Sequence, residues 1–133
     1  MSSPFSQSKP AHLLVGEEGE DIAIHYLRGL GYAVLGRDVS MGREEIDIIA
    51  FDPRDGVIVF VEVKTRSKHY DDFSPLLAAT YRKRANVMRA AKRWMAWRKE
   101  ARGFRLDLIS VEDGEVTEHL EEVPFKKEKG YGY

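Results

Sequence analysis

Glu45-Ile46-Asp47-Ile48-Ile49-Ala50-Phe51, the turn Asp52-Pro53-Arg54-Asp55-Gly56, and Val57-Ile58-Val59-Phe60-Val61-Glu62-Val63-Lys64-Thr65 together decide the fold. Two apolar runs joined by a Pro/Asp/Gly turn predict an antiparallel hairpin. Side chains alternate between the two faces of a strand, so Glu62 and Lys64 share a face with Ile58 and Phe60, while Val57, Val59, Val61 and Val63 line the other. Apolar residues on both faces predict a strand covered on both sides, as at the centre of an α/β sheet. An unpaired acid or lysine in such a strand is costly to desolvate. Asp47, Glu62 and Lys64 therefore need compensation, for which a metal ion at the strand end is the obvious candidate.

Outward from the hairpin, helical apolar spacing predicts a first helix from about Leu13 to Leu30, with Ala23, Tyr26, Leu27 and Leu30 as its stripe and Ile22 at the edge. Glu17, Glu18, Glu20 and Asp21 suit the first turns of a helix, and Gly29 and Gly31 end it. Tyr32–Leu35 reads as the first strand, followed by a polar connection through Arg37, Asp38, Ser40 and Gly42. Beyond the hairpin, Arg66–Pro75 reads as a loop. A long helix from about Leu76 to Arg102 follows, with Leu77, Tyr81, Met88, Ala91 and Met95 on its stripe and Trp94 and Trp97 beside it. Leu106–Val111 and Glu115–Leu120 are the last strands. The order α-β-β-β-α-β-β predicts an α/β domain with a central mixed sheet flanked by helices, spanning residues 13–125 between flexible tails at 1–12 and 126–133.

The chain has 133 residues, 43% hydrophobic and 32% charged, with no cysteine. That composition fits one globular domain and excludes disulfides, zinc-thiolate sites and thiol nucleophiles. No apolar run approaches the roughly 20 residues of a membrane span, and Met1–His12 lacks the apolar core of a secretory signal, so a cytoplasmic protein without membrane contact is expected. The net charge of −1 hides an asymmetry. Arg82, Lys83, Arg84, Arg89, Lys92, Arg93, Arg98, Lys99, Arg102 and Arg105 share their window with one acid, Glu100. Such a segment is either a solvated helix face or a phosphate-binding face; the lack of interleaved acids favours the second. His12, His25, His69 and His119 lack metal-ligand spacing, and Gly16-Glu17-Glu18-Gly19 lacks the pattern of a phosphate loop. Trp94 and Trp97 fit either base stacking or, more commonly for aromatics beside a stripe, the core.

The chemistry follows from the spacing. Mg²⁺ or Mn²⁺ takes one or two carboxylates plus water and phosphate oxygens. The hairpin makes Asp47 and Glu62 neighbours, and Lys64 on the same face can activate water or balance charge developing on phosphate. Glu20, at the edge of the first helix's stripe, is either a further ligand or an exposed acid favoured by the helix dipole. Glu45 shares the face of Asp47, although an exposed strand-end acid describes it better. The alternative for Asp47, Glu62 and Lys64 is an internal salt bridge without function.

At Glu45-Ile46-Asp47 … Phe60-Val61-Glu62-Val63-Lys64-Thr65-Arg66 the chain resembles the PD-(D/E)XK nuclease superfamily. More closely it resembles the bacterial YraN-like family, which is similar to Holliday-junction resolvases. Gly16-Glu17-Glu18-Gly19-Glu20 … Ala23 … Tyr26-Leu27 … Gly31-Tyr32, Lys83 with Ala90-Ala91, and Arg105-Leu106-Asp107 extend the resemblance over about Gly16–Phe125. It implies a restriction-endonuclease-like core and a Mg²⁺- or Mn²⁺-dependent endonuclease. Asp47, Glu62, Glu20 and the Val63 carbonyl would be metal ligands, with Lys64 the catalytic lysine beside the acids. Lys83, Arg66, Arg82, Arg84 and Arg89 would contact nucleic acid, with DNA, branched DNA included, as the expected partner. Small nucleases of this kind act as dimers on symmetric substrates, so a homodimer is an expectation too. Glu44 stands where the family usually has glycine, and Asp38 and Ser40 lie where it tends to carry Asn and Arg. The rival is a non-catalytic nucleic-acid-binding or complex-assembly protein on the same fold.

Overall fold

A computed structural model, describing residues 11–66 and 81–123 (side chains of 11–17, 66, 81 and 82 excepted), has the order α1 (Ala11–Gly29), β1 (Ala33–Met41), β2 (Glu44–Asp52), β3 (Val57–Arg66), α2 (Tyr81–Trp97), β4 (Phe104–Glu112) and β5 (Glu115–Leu120). This is the expected α-β-β-β-α-β-β order. The five strands lie in the sheet in chain order. All pairings are antiparallel except β3 with β4, which run parallel because α2 carries the chain across the sheet between them.

The two-faced apolar pattern of β3 is satisfied as expected. Ile58 and Phe60 pack with Ile46, Ile49, Leu106 and Leu108 against Val87, Ala90, Ala91, Trp94 and Met95 of α2. Val59 and Val61 pack on the other face with Ile48, Ala50, Ile109 and Val111 against Ala23, Ile24 and Leu27 of α1. No helix among the described residues is long and apolar enough to cross a membrane.

Several boundaries differ from the sequence reading. α1 begins at Ala11, inside the stretch expected to be a tail, so Glu17–Asp21 lie in its middle and no acid occupies its first turn. Dipole stabilisation therefore does not account for them. Leu30 is 53% exposed beyond the helix end. There Gly31, at φ +94°, closes the helix through bonds from the Gly31 and Tyr32 amides to the Arg28 and Leu27 carbonyls. β1 continues to Met41 through Arg37, Asp38 and Ser40, which are strand residues rather than a connection. α2 stops at Trp97, short of Arg102, because Lys99 takes the left-handed conformation and the Glu100 amide bonds back to the Met95 carbonyl. Trp94 belongs to the core, and Trp97 does not. The expected tails at 1–10 and 126–133, the loop to Pro75, and Leu76 and Leu77 fall outside the described residues.

Arg105 is also not part of a basic surface. Its guanidinium is buried and bonds Asp52 and Asp107 at 2.9 Å each, Asp55 at 2.9 Å and the Tyr32 hydroxyl at 2.6 Å. His119 extends this network, with Nε2 2.8 Å from Asp107 and Nδ1 2.9 Å from the Tyr26 hydroxyl.

A Cβ on Gly19 would overlap Thr65 Oγ1 and lie 3.1 Å from its Cβ and 3.2 Å from its Cγ2, so even a rotated Thr65 leaves the contact tighter than ordinary packing. Gly19→Ala should lift α1 off β3 and cost about 1–3 kcal/mol in urea unfolding; an unchanged midpoint contradicts this packing. Burial alone would raise the Asp52 carboxyl, but the Arg105 hydrogen bonds outweigh it and hold the group below its ordinary value. Its contribution to stability is therefore complete above about pH 4, the unfolded value, and is lost as pH falls. Asp52→Asn should flatten the loss of stability below that pH relative to the parent; equal slopes contradict the assignment.

Candidate functional site

The register Ile48↔Val61 sets Asp47 against Glu62 at the next rung, and there the β2–β3 ladder ends. β3 nevertheless continues, paired with β4 as far as Arg66. The Asp47 carboxylate turns into the gap and accepts the Val63 amide at 2.9 Å, which fixes one of its oxygens. On the far side of β2, Val39↔Ile46 and Arg37↔Ile48 bring Asp38 opposite Asp47. Asp38 sits at φ +49°, a conformation that Asp tolerates better than most residues. From α1, Glu20 reaches the same place. One carboxylate oxygen from each of Glu20, Asp38 and Asp47 lies within 4.8 Å of the others.

The electrostatics show what this arrangement lacks. Burial, a hydrogen bond with Asp38 and the Asp47 charge push Glu20 up to about 8. Burial and the Asp47 charge push Glu62 up to about 7 against the pull of Lys83. Asp47 is raised as well, chiefly by burial, despite the Val63 amide and Lys83. Lys64 is lowered by burial and by the neighbouring Lys83 charge. The cations present fall short of the carboxylates. Lys83 Nζ lies 3.2 Å from Glu62 Oε2, yet among the described residues neither solvent-inaccessible Glu62 oxygen has a hydrogen-bond donor in line. Arg37 reaches Glu20 at 3.2 Å from its half-exposed position and also bonds Asp21.

The structure thus brings Glu20 to Asp47 and sets Glu62 beside Asp47, with Lys64 two residues along the same strand face. Glu62 lies outside the tight trio. Lys83 enters the site itself, in a cleft of about 590 Å³ lined by Arg43, Glu44, Glu45, Asp47, Asn86 and Val87. Arg89 is exposed and bonds Glu44 at 3.2 Å, so the added charge of Glu44 is met from α2. Arg84 is half-buried; the side chains of Arg66 and Arg82 are outside the described residues. Asp38 was not a sequence candidate. Its one signal was its place among the departures from the family pattern.

The donor set fits a hard divalent cation: the converging atoms are carboxylate oxygens, and among the described residues the buried Glu62 beside them is met by one cation, Lys83, at 3.2 Å. Without a cation the acids repel one another. Asp38→Asn keeps the shape and the tolerance for positive φ while removing one charge. It should stabilise the protein in EDTA at pH 8 by about 1 kcal/mol, read as a higher Tm. A lower or unchanged Tm contradicts this account of the pocket.

Residues 19–111 match the uncharacterised protein family UPF0102. A UPF0102 protein of Oleidesulfovibrio alaskensis is 42% identical over 108 residues, covering 78% of this chain and 50% of that protein. One from Geobacter metallireducens is 38% identical over 119 residues, covering 88% and 94%. This chain therefore spans half the length of the first relative and nearly all of the second. Among solved structures, a repair endonuclease from Pyrococcus abyssi is similar with a TM-score of 0.41 and 13% identity, over 71% of this chain and 39% of that one. A likeness at that level carries no argument about activity. With the matched region spanning both helices' core contacts, the hairpin and the carboxylate site, the chain belongs to the uncharacterised protein family UPF0102.

Proposed function

We propose that this protein is a metal-dependent nuclease that hydrolyses phosphodiester bonds in nucleic acid, with DNA, branched DNA included, as the substrate. The observation that carries the reading is the convergence of Glu20, Asp38 and Asp47 carboxylate oxygens within 4.8 Å of one another, with Glu62 facing Asp47 where the β2–β3 ladder ends and Lys64 two residues beyond it. A bound Mg²⁺ or Mn²⁺ would supply Lewis acidity and lower the pKa of water. Asp47, Glu62 and Glu20 would hold it, with Asp38 as a fourth carboxylate and the Val63 carbonyl as a further oxygen. Val63 N–H fixes the aim of Asp47, and Glu62 faces the same side of β3 as Lys64. Lys64 then serves the attacking water: partly buried and lowered, it accepts a proton more readily than a surface lysine, and while charged it balances charge developing on phosphate. Lys83 is held charged; burial alone would lower it, but Glu62 and Asp47 outweigh that. It contacts a phosphate at the mouth of the cleft, and the exposed cations of α2 hold the backbone on either side, so binding weakens steeply with salt.

A second reading has one observation in its favour. Lys83 and Arg37 already pair with Glu62 and Glu20, as permanent counter-ions would in a non-catalytic nucleic-acid-binding or assembly protein. Cleavage separates the two. Linear, flapped, single-stranded and four-way-junction DNAs should be tested with Mg²⁺ and Mn²⁺, with Asp47→Ala and Lys64→Ala beside the parent. We expect cleavage by the parent and a loss of about 100-fold or more in both variants, with binding retained by Asp47→Ala. Binding without cleavage on every substrate would select the second reading.

A further inference from the structure

We infer that the edge of α2 that borders the carboxylate cleft is a track for an unpaired strand that leaves the cleft and stacks a base on Trp97. The inference deepens the nucleic-acid reading above by naming the form of the ligand. Trp97 ends α2 and is 70% exposed, whereas Trp94, one turn earlier, is 3% exposed and packed edge-on to Phe60 in the core. The two indoles are therefore not equivalent. Trp94 carries the packing, and Trp97 contributes little to it.

Placed at about 100° per residue, Lys83, Asn86, Arg93 and Trp97 fall within an arc of about 80° on the helix. Lys83 and Asn86 line the cleft beside Asp47, so the stripe starts at the candidate site and ends at the indole. The helix Tyr81–Trp97 contains no acid at all. Arg89 and Arg93 are about half exposed and share one carboxylate, Glu44, at 3.2 and 3.8 Å, which leaves the face with net positive charge. This is the composition of a single-strand site: cations that follow the phosphates and an aromatic platform for a base.

The same features argue for an unpaired strand over a duplex. Inside a duplex both faces of each base are covered by neighbours, so an indole finds a face to stack on only where a base is unpaired or terminal. The distance also suits a short strand. From Lys83 to Trp97 the helix rises about 21 Å, which is about six nucleotides at the ~3.4 Å spacing of a stacked strand. A protein partner would be expected to seat an aromatic anchor among apolar neighbours. The other exposed large apolar side chains among the described residues, Leu30, Leu35 and Leu120, belong to the end of α1, to β1 and to β5, and Trp97 is flanked by the exposed Arg93, Ala96 and Arg98.

The test is fluorescence anisotropy with a short end-labelled single strand and a blunt duplex of equal length, using the parent, Trp97→Ala, Trp97→Phe and Asp47→Ala. Trp97→Ala should weaken single-strand binding about ten-fold or more, the size of one lost base stack. Trp97→Phe should recover most of the loss, and duplex binding should change little in either variant. Thermal stability of Trp97→Ala should match the parent, since the indole is outside the core. Undiminished single-strand affinity in Trp97→Ala, equal losses on both ligands, or no single-strand binding by the parent would each overturn the inference. So would self-association of the parent that Trp97→Ala abolishes, which would assign the indole to a protein interface. The inference stands apart from catalysis: if Asp47→Ala cleaves as the parent does, or neither cleaves, while the Trp97 dependence persists, the metal mechanism fails and the strand track does not.

Discussion

Two carboxylates face each other where the β2–β3 ladder stops, and the candidate site depends on that rung. Asp47 and Glu62 occupy it because the hairpin register sets Ile48 against Val61 and leaves the next pair open. β3 remains paired with β4 past this point, so Glu62 and Lys64 stay on a rigid strand while the β2 side opens for Glu20 from α1 and Asp38 from β1. The close approach of α1 to β3 at Gly19 delivers Glu20, which follows it directly in sequence. One break in a sheet thus collects acids from four elements.

A second acidic group in the same molecule shows that this crowding is not simply how the chain handles buried acids. Asp52, Asp55 and Glu121 are as closely grouped as Glu20, Asp38 and Asp47. There Arg105 lies among them, bonds Asp52 and Asp55, and reaches Glu121 at 3.1 Å. Asp52 is accordingly held below its ordinary value, while Glu20, Asp47 and Glu62 are all raised. One group carries its counter-ion in the sequence. Among the described residues the other meets only Arg37 and Lys83, and the latter is shared with the buried Glu62 that faces Asp47. The contrast is what an external cation would require.

Much of this was legible in the chain. The alternation of Ile58 and Phe60 with Val59 and Val61 fixed a two-faced central strand, and the Asp52–Gly56 turn fixed the hairpin that brings Asp47 to Glu62. Asp38 was not legible, because β1 is an edge strand whose outward residues are exposed and therefore lack the apolar alternation of a strand. The end of α2 was hidden because Lys99, not a glycine, adopts the left-handed closing conformation. Arg105 read as surface charge because it closes a run of cations. Its partner Asp107, two residues on along the same strand, was legible, but Asp52 comes from β2 and meets it only in the fold. Trp94 and Trp97 could not be told apart by spacing; the helix ends at Trp97, and that carries the second indole clear of the sheet.

If the acids at the open rung hold a divalent cation, binding must stabilise the fold. Thermal unfolding of the parent and of Asp47→Asn over a Mn²⁺ titration tests it without reference to any substrate, since a ligand specific to the folded state must raise the Tm. The account predicts a saturating rise in the parent that is lost in Asp47→Asn. No rise in the parent, or the same rise in both, would contradict it.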